Sequence, residues 1–476
     1  MPDPAELSRL AREAADELRL AGAQVAVLHR GEIAAGVAGV ASTETGVPIT
    51  PETLFQVGST TKLFTAALAM SLVDEGRIGL DTPVAEQLPG FALSDPDATR
   101  TVAPRHLMSM SSGMDNGPYA DYGRGDDALA RYVASLVDLP QNFPPGTGFG
   151  YSNASTTVTG RLVEHVAGQT WDDVLRARLL EPAGMAHTTT FPEDVAWRRF
   201  ALGHAAGEEG TPVPLRTWSQ MRSRGPSGST AYSTASDLVR FASLFMPDGP
   251  AVLAPGVVRG MTSRQVEVPP TLVATAWGLG PYCNVWDGVE IWGHSGTQLS
   301  GSSFLLWAPE RRFAVATMVN VPSLGYPFAK RMFSVLFPEV AGIRVPDPPR
   351  PRGEVAVDPD RLVGTYEMTT QTFTVGEADG GATISGLVEM PAEVRIDSSP
   401  LVPLTPISFL PTHPAIDGNR GWALAFVGAD EGPARYLLNG VFALRRVGSG
   451  RRARRIATVT ADASAPTGAP ASVRVR

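Results

Sequence analysis

Ser59 and Lys62 stand three residues apart in the stretch "FQVGSTTKLFTAALAMSLVDEG". A serine hydroxyl is a weak nucleophile until a neighbouring base takes its proton. Residues three apart share a helix face, so a helix opening at the Ser59-Thr60-Thr61-Lys62 tetrad returns the Lys62 amine to the Ser59 hydroxyl. The strongly apolar run that follows, ending near Gly76, predicts that this helix is buried. Burial pushes a lysine toward its neutral form, which can accept a proton. The helix N-terminus adds backbone N–H groups and a positive dipole end at the same place. Attack of Ser59 on an acyl carbonyl is the chemistry this arrangement suits. The plainer reading of the tetrad is a capping serine followed by a surface lysine.

Two more stretches carry compatible groups. "FPPGTGFGYSNAS" places Tyr151 and Asn153 on a loop just before a helix; their plainer reading is a turn tyrosine and a helix-capping asparagine. "WGHSGTQ", residues 292–298, puts His294, Ser295 and Gly296 on a strand-like run and nearly spells G-x-S-x-G, the strand-to-helix elbow that exposes a nucleophilic serine. The fifth position is Thr297, and "TQLSGSSFLLWAPERRFAVATMV" continues as strand-like runs. An elbow needs a helix after it, so Ser295 is read as the middle of a strand, and Ser59 as the nucleophile. The plainer reading of His294 is a strand histidine beside a turn.

The elements that must position these groups follow from pattern. "MPDPAELSRLAREAADELRLAG" predicts a helix with Asp3 as N-cap, Pro4 in the first turn, Glu6 at a capping-box spacing and Leu7, Leu10, Ala14 and Leu18 on one face. "AQVAVLHRG" and "EIAAGVAGVAS" predict a hairpin with a tight Arg-Gly turn. Helical periodicity fills the middle of the chain, and strand patterns return from "TAWGLGPYCNVWDGVEIWGHSG" to "RRFAVATMVN", before a last helix over "YPFAKRMFSVLF". Strands at both ends with helices between them predict one α+β domain over 1–343, closed by its own termini. "VPDPPRPRG" lies in a proline-rich linker over 344–357. From 358 to 449 short strand-like runs alternate with turn residues and predict a small all-β unit. The Ala-, Ser-, Pro-, Thr- and Arg-rich tail over 450–476 is expected to be disordered.

Ser-x-x-Lys, Tyr-x-Asn and His-x-Gly in this order and at wide spacing resemble the serine β-lactamase and penicillin-binding-protein superfamily. The pattern is most similar to its class C β-lactamase, esterase and D-aminopeptidase branch. "TPETLFQVGSTTK", "HLMSMSSGM", "FPPGTGFGYSN", "LLEPAGMAHT" and "GHSGTQLSGSSF" carry the resemblance over roughly the first 340 residues. It implies a domain of antiparallel sheet plus helical subdomain, with Ser59, Lys62 and Tyr151 catalytic. Lys62 and Tyr151 share proton movement, and which of them is the acylation base stays open. Asn153 binds the substrate amide or holds Lys62. The backbone N–H groups of Ser59 and Thr297 form the oxyanion hole, with His294 and Gly296 on the adjoining binding strand. His294 stands where the family more commonly has lysine, as in esterase and peptidase relatives, which argues against strong β-lactamase activity.

A C-terminal unit read as a lipocalin-like barrel, no export signal and an Ala-, Gly-, Pro- and Arg-rich composition look like stand-alone penicillin-binding-protein-type thioesterases of nonribosomal peptide pathways. That resemblance implies a carrier-bound peptidyl thioester ending in a D-residue and head-to-tail macrocyclisation. The alternatives are an esterase or D-stereospecific peptidase with the same domains, and a catalytically silent binding protein. Strand alternation sets Arg445 and Arg446 on opposite faces, and Arg446 is the candidate to reach the active site from the C-terminal unit and bind a carboxylate or peptide carbonyl; the plainer reading is two solvated arginines at a strand end.

Composition narrows the rest. Of the net charge of -8, the six arginines and one aspartate after Gly450 contribute +5, leaving about -13 on the body. An acidic body does not make a nucleic-acid surface, which needs a basic face. The single cysteine, Cys283, allows no internal disulfide and is read as a structural thiol. No His/Cys spacing suits a metal and no glycine-rich phosphate loop follows a strand, so no cofactor is expected. The longest apolar run, near 63–73, is too short for a bilayer, and a cytoplasmic protein is expected.

Overall fold

The computed structural model describes residues 1–207, 210–218, 221–351, 355–378, 381–389, 393–413, 416 and 422–447. The tail assigned to 450–476 lies outside these residues, as do 352–354 of the proline-rich stretch. The first helix, Pro4–Leu18, starts at its capping signal, with Asp3 accepting from Glu6 N at 2.8 Å. It buries Leu7, Ala11, Ala14 and Ala15 and packs on the hairpin Gly22–His29 and Glu32–Gly39.

That hairpin enters an eight-stranded antiparallel sheet. Gly22–His29 lies between Glu32–Gly39 and Phe313–Val319, with Ala26 opposite Ala316. The first and last strands of the domain therefore meet inside one sheet, which closes the domain as its terminal patterns predict. Next come Gly301–Ala308, Val289–Gln298, Tyr282–Trp286 and two short edge strands. Tyr282–Trp286 pairs with Val289–Gln298 only as far as Gly293. Past that point the strand keeps Gly301–Ala308 on one side only. Its other edge, at residues 294–298, faces the turn at 57–59.

The helix after that turn, Thr61–Asp74, is buried on nearly every face, including Thr61, Lys62 and Thr65. A helix apolar all round belongs inside a domain. It packs against the helix Asn153–Ala167, the helix Pro255–Met261 and the turn Arg222–Ser227. Cys283 sits in the same core, and burial pushes its thiol up to about 12.

The C-terminal unit is a closed antiparallel barrel of eight strands in sequence order, Gly364–Met368 to Phe442–Val447. Its last strand closes on its first, with Tyr366 opposite Arg446 and Glu367 opposite Arg445. Tyr366, Phe373, Phe409, Phe426, Leu437 and Leu444 pack its core, as expected where eight strands leave an interior that side chains can fill. Other barrel residues, among them Tyr436, Leu438, Val441 and Ala443, join an apolar cluster with Phe143, Phe149, Tyr151 and Trp277 of the first domain. Tyr436 stacks on Phe143 at 5.1 Å between centroids, and Asp115 accepts from Thr369 N at 3.1 Å. The two units thus share an apolar cluster where they meet, beside the barrel's own core. Among the described residues, no helix is long and apolar enough to cross a membrane.

Candidate active site

Ser59 lies in a single turn of 3-10 helix, Gly58–Thr60, that leads into the buried helix. The residues around it are buried and Ser59 itself is half-exposed. Lys62 is 1% exposed. Its Nζ lies 3.1 Å from Ser59 Oγ, 2.6 Å from Asn153 Oδ1 and 2.6 Å from the Ser227 carbonyl oxygen. The sequence alternative of a surface lysine is therefore excluded. Burial first, and the Arg224 charge second, hold Lys62 well below the usual lysine range.

The three partners of Lys62 divide by chemistry. A neutral amine has two N–H groups and one lone pair. Asn153 Oδ1 and Ser227 O can only accept, so they take the two N–H groups. In that neutral form the lone pair is left for the Ser59 O–H, whereas the charged form donates to Oγ. The orientation of the Asn153 amide is set on its far side, where Nδ2 donates to Asn116 Oδ1 at 2.9 Å. The same Asn116 oxygen accepts from Asn153 N at 2.9 Å. Asn153 is not the helix cap. Ser152 caps Asn153–Ala167 by accepting from Ser155 N at 3.1 Å and donates to Asp115 O at 2.8 Å. That leaves the Asn153 side chain free of capping.

The strand edge meets the serine turn at two glycines. Gly58 has φ +56, and a Cβ there would stand 2.6 Å from Thr297 N. A Cβ on Gly296 would stand 1.9 Å from Val57 O and 2.6 Å from Ser59 N. Only glycine fits such backbone approach. The contact sets the backbone beside Ser59 against the backbone beside Thr297.

Tyr151 is 7% exposed, with its ring centroid 4.8 Å from Lys62 Nζ. Trp277, His294 and the barrel residue Phe442 surround that ring, at centroid separations of 6.0, 6.1 and 5.6 Å. Tyr151 N also donates to Val441 O at 2.8 Å. The hairpin between the last two barrel strands therefore forms one wall of the site. His294 is buried among Tyr151, Trp277 and Tyr282, with Nδ1 2.6 Å from Ser295 O and Nε2 without a partner. Ser295 lies within the strand Val289–Gln298, with the strand Gly301–Ala308 after it and no helix between.

Burial, with the Lys62 charge second, pushes His294 from an ordinary 6.5 down to about 3. The native chain thus refuses a proton that the unfolded chain binds between those values. Stability contributed here is present above about pH 6.5 and falls as pH drops toward 3, by at most about 1.4 kcal/mol per pH unit. Urea midpoints of the wild type and His294→Gln between pH 4 and 7 check this. The gap between the two curves is expected to shift in favour of the variant as pH falls.

Arg446 stands apart from these groups, contrary to the sequence expectation. Its guanidinium donates to Val363 O and Ala434 O inside the barrel, while Arg445 pairs with Glu367 at 2.6 Å. Phe442 is the residue of this strand that meets Tyr151, and four residues at about 3.3 Å each carry Arg446 roughly 13 Å farther along. Asn116, the Ser227 carbonyl, Arg224 and the Val441–Phe442 hairpin are site elements that sequence reasoning missed. Turn residues in "GMDNG" and "RGPSGST" were the available signals for the first three.

A family model described as Beta-lactamase matches residues 7–333. Penicillin-binding protein 4 of Amycolatopsis lactamdurans is 38% identical over 361 residues, 74% of this chain and 94% of that protein. Unguisins hydrolase ungD' of Aspergillus campestris is 30% identical over 290 residues, 57% of this chain and 53% of that protein. Among solved structures, SurE superposes with a TM-score of 0.75 at 26% identity, over 93% of this chain and 99% of that one. The structure of SurE with D-Leu matches with a TM-score of 0.74 at 25% identity over the same shares.

Proposed function

This chain belongs to the β-lactamase family of serine hydrolases and acyltransferases, and we propose that it works through an acyl-enzyme on Ser59 to release a peptidyl thioester. The observation that carries the reading is the threefold contact of Lys62 with Ser59, Asn153 and Ser227. In this reading the Lys62 lone pair takes the Ser59 proton as Oγ attacks the acyl carbon. The carbonyl oxygen, now negative, sits between Ser59 N–H and Thr297 N–H. Tyr151, beside Lys62, passes a proton to the departing thiolate. Donors already in place where charge develops lower the barrier because they need no rearrangement.

The amine at the head of the same peptide then attacks the Ser59 ester and gives its proton to Tyr151, while the Oγ–acyl bond breaks and Ser59 takes its proton back from Lys62, giving a macrocycle. Two observations support this choice over water. The barrel hairpin lays Phe442 on Tyr151, which makes one wall beside Lys62 apolar, and excluding water favours the amine. The neighbour that matches across both units has been solved with D-Leu, which supports an acyl donor ending in a D-residue. A cytoplasmic carrier protein delivering the thioester belongs to the same proposal. The second reading is hydrolysis, favoured by the name of the fungal relative, a hydrolase.

A synthetic peptidyl thioester with a D-residue at its C-terminus separates the two, with the L-epimer and Ser59→Ala protein as controls. A product one water lighter than the linear acid is cyclised and upholds the proposal. Linear acid alone establishes the hydrolase. Phe442→Ala is expected to raise the acid-to-cycle ratio about fivefold, since an aromatic contact of about 1 kcal/mol is removed from the side that excludes water.

A further inference from the structure

The turn Arg222–Ser227, whose last residue binds Lys62, also carries a buried cation that has no acidic partner among the described residues. Arg224 is 4% exposed. Among the described residues its guanidinium makes no ion pair, and its Nε is shut from solvent without a hydrogen-bond partner. Arg222, two residues earlier, pairs with Asp126 and Asp172, so acidic partners exist in this region and Arg224 is not given one. The Arg224 guanidinium instead lies over the Tyr119 ring, 4.4 Å from its centroid. Tyr119 belongs to the loop that begins with Asn116, the residue that orients Asn153.

A second orphan stands beside it. The Tyr132 hydroxyl is fully buried without a partner. The helix that carries Tyr132, Ala128–Ala134, packs on the turn Arg222–Ser227, and the last residue of that turn binds Lys62, so the three groups share one neighbourhood. An unpaired buried guanidinium is costly to keep. The Tyr119 ring packs against it, and a planar fork of N–H groups matches the geometry of a carboxylate.

We propose that Arg224, with the Tyr132 hydroxyl as second donor, is a carboxylate-binding subsite of the acyl-donor site. The proposal rests on the reading that Ser59 is acylated but not on whether water or an amine follows. The carboxylate can come from an acidic side chain of the acyl donor or from the free C-terminus of a linear peptide. The shared chemistry is an anion held next to Lys62.

Two pairs of probes distinguish the sources. The first is a peptidyl thioester with Glu against its Gln isostere, placed in turn at the last and the penultimate residue. The second is the linear peptide acid against its C-terminal amide, measured by calorimetry, which reads binding whether or not turnover occurs. In the wild type the acidic member of at least one pair is expected to win by about tenfold, in kcat/KM or in affinity, as for a charge-assisted bidentate contact. Arg224→Gln abolishes that preference, read as the ratio of acidic to neutral member within each pair, because loss of the charge beside Lys62 acts on both members alike; Arg224→Lys keeps part of it. A wild type that distinguishes neither pair overturns the proposal without reference to any variant. So does an Arg224→Gln protein, folded by thermal melt, that weakens acidic and neutral members equally. Failure of every thioester to acylate Ser59 counts against the acyl-enzyme reading, while the calorimetric pair still decides the subsite.

Discussion

Lys62→Met is expected to lower kcat/KM for acyl donors by about 10²- to 10⁴-fold, the range that a positioned general base supplies. The substitution keeps an unbranched chain in a site that is 1% exposed, so the core remains filled. What disappears is the lone pair facing Ser59 Oγ. Ser227 O and Asn153 Oδ1 lose a donor, costing about 1–3 kcal/mol for each buried group left unsatisfied. Removing a buried amine whose charged form is disfavoured offsets part of that cost. The thermal midpoint therefore moves much less than the activity. Lys62→Arg gives an equally strong loss for a different reason, because a guanidinium stays protonated and cannot act as a base. Progress curves with a chromogenic ester, together with a thermal melt of each variant, check both statements.

The second large effect belongs to a residue with no side chain. Gly296→Ala is expected to cut kcat by about 10²- to 10³-fold, the usual effect of losing one oxyanion donor. The added carbon would lie 1.9 Å from Val57 O and 2.6 Å from Ser59 N. Backbone on both sides must shift, and the nitrogens of Ser59 and Thr297 separate. Substrate affinity is expected to change less than kcat, because the pair acts on charge that exists only in the transition state. Equal losses in kcat and in the affinity for an inert substrate analogue would instead mean that Gly296 serves only binding.

These two effects also show which parts of the site were legible in the sequence. The Ser59–Lys62 pair follows from helix spacing and an apolar run, and burial of the lysine follows from the same run. The strand character of 289–298 follows from what succeeds Thr297. The partners of Lys62 divide differently. Asn153 is visible as a polar side chain next to a tyrosine, but Ser152 takes the capping role, a choice between adjacent residues that propensity does not rank. The Ser227 oxygen is a backbone atom in an irregular turn, and backbone acceptors leave no residue-type signature. The barrel is legible as short runs and turns, and the alternation of Arg445 and Arg446 is correct. Which end of that last strand meets the first domain depends on packing between Tyr436, Phe143, Val441 and Tyr151, contacts that join residues nearly 300 positions apart. Phe442, not the candidate Arg446, is accordingly the residue of that strand that meets Tyr151.

The contact of the barrel with Tyr151 gives the C-terminal unit a chemical role. Val441 O fixes the Tyr151 backbone and Phe442 covers its ring. Asp115 links the two units, accepting from Thr369 N of the barrel while its own carbonyl holds Ser152 next to Asn153. Burial raises the Asp115 carboxyl above the ordinary carboxylate range. The position of Tyr151 beside Lys62 thus depends on the barrel being docked.

The central claim is a covalent bond between the substrate acyl group and Ser59. Intact-mass spectrometry of the protein, quenched in acid within seconds of mixing with a peptidyl thioester ending in a D-residue, tests it most directly. The predicted result is a mass increase of one acyl group, mapped by proteolysis to the peptide containing Ser59 and absent from the Ser59→Ala protein. An adduct on any other residue, or full turnover by Ser59→Ala, would contradict it.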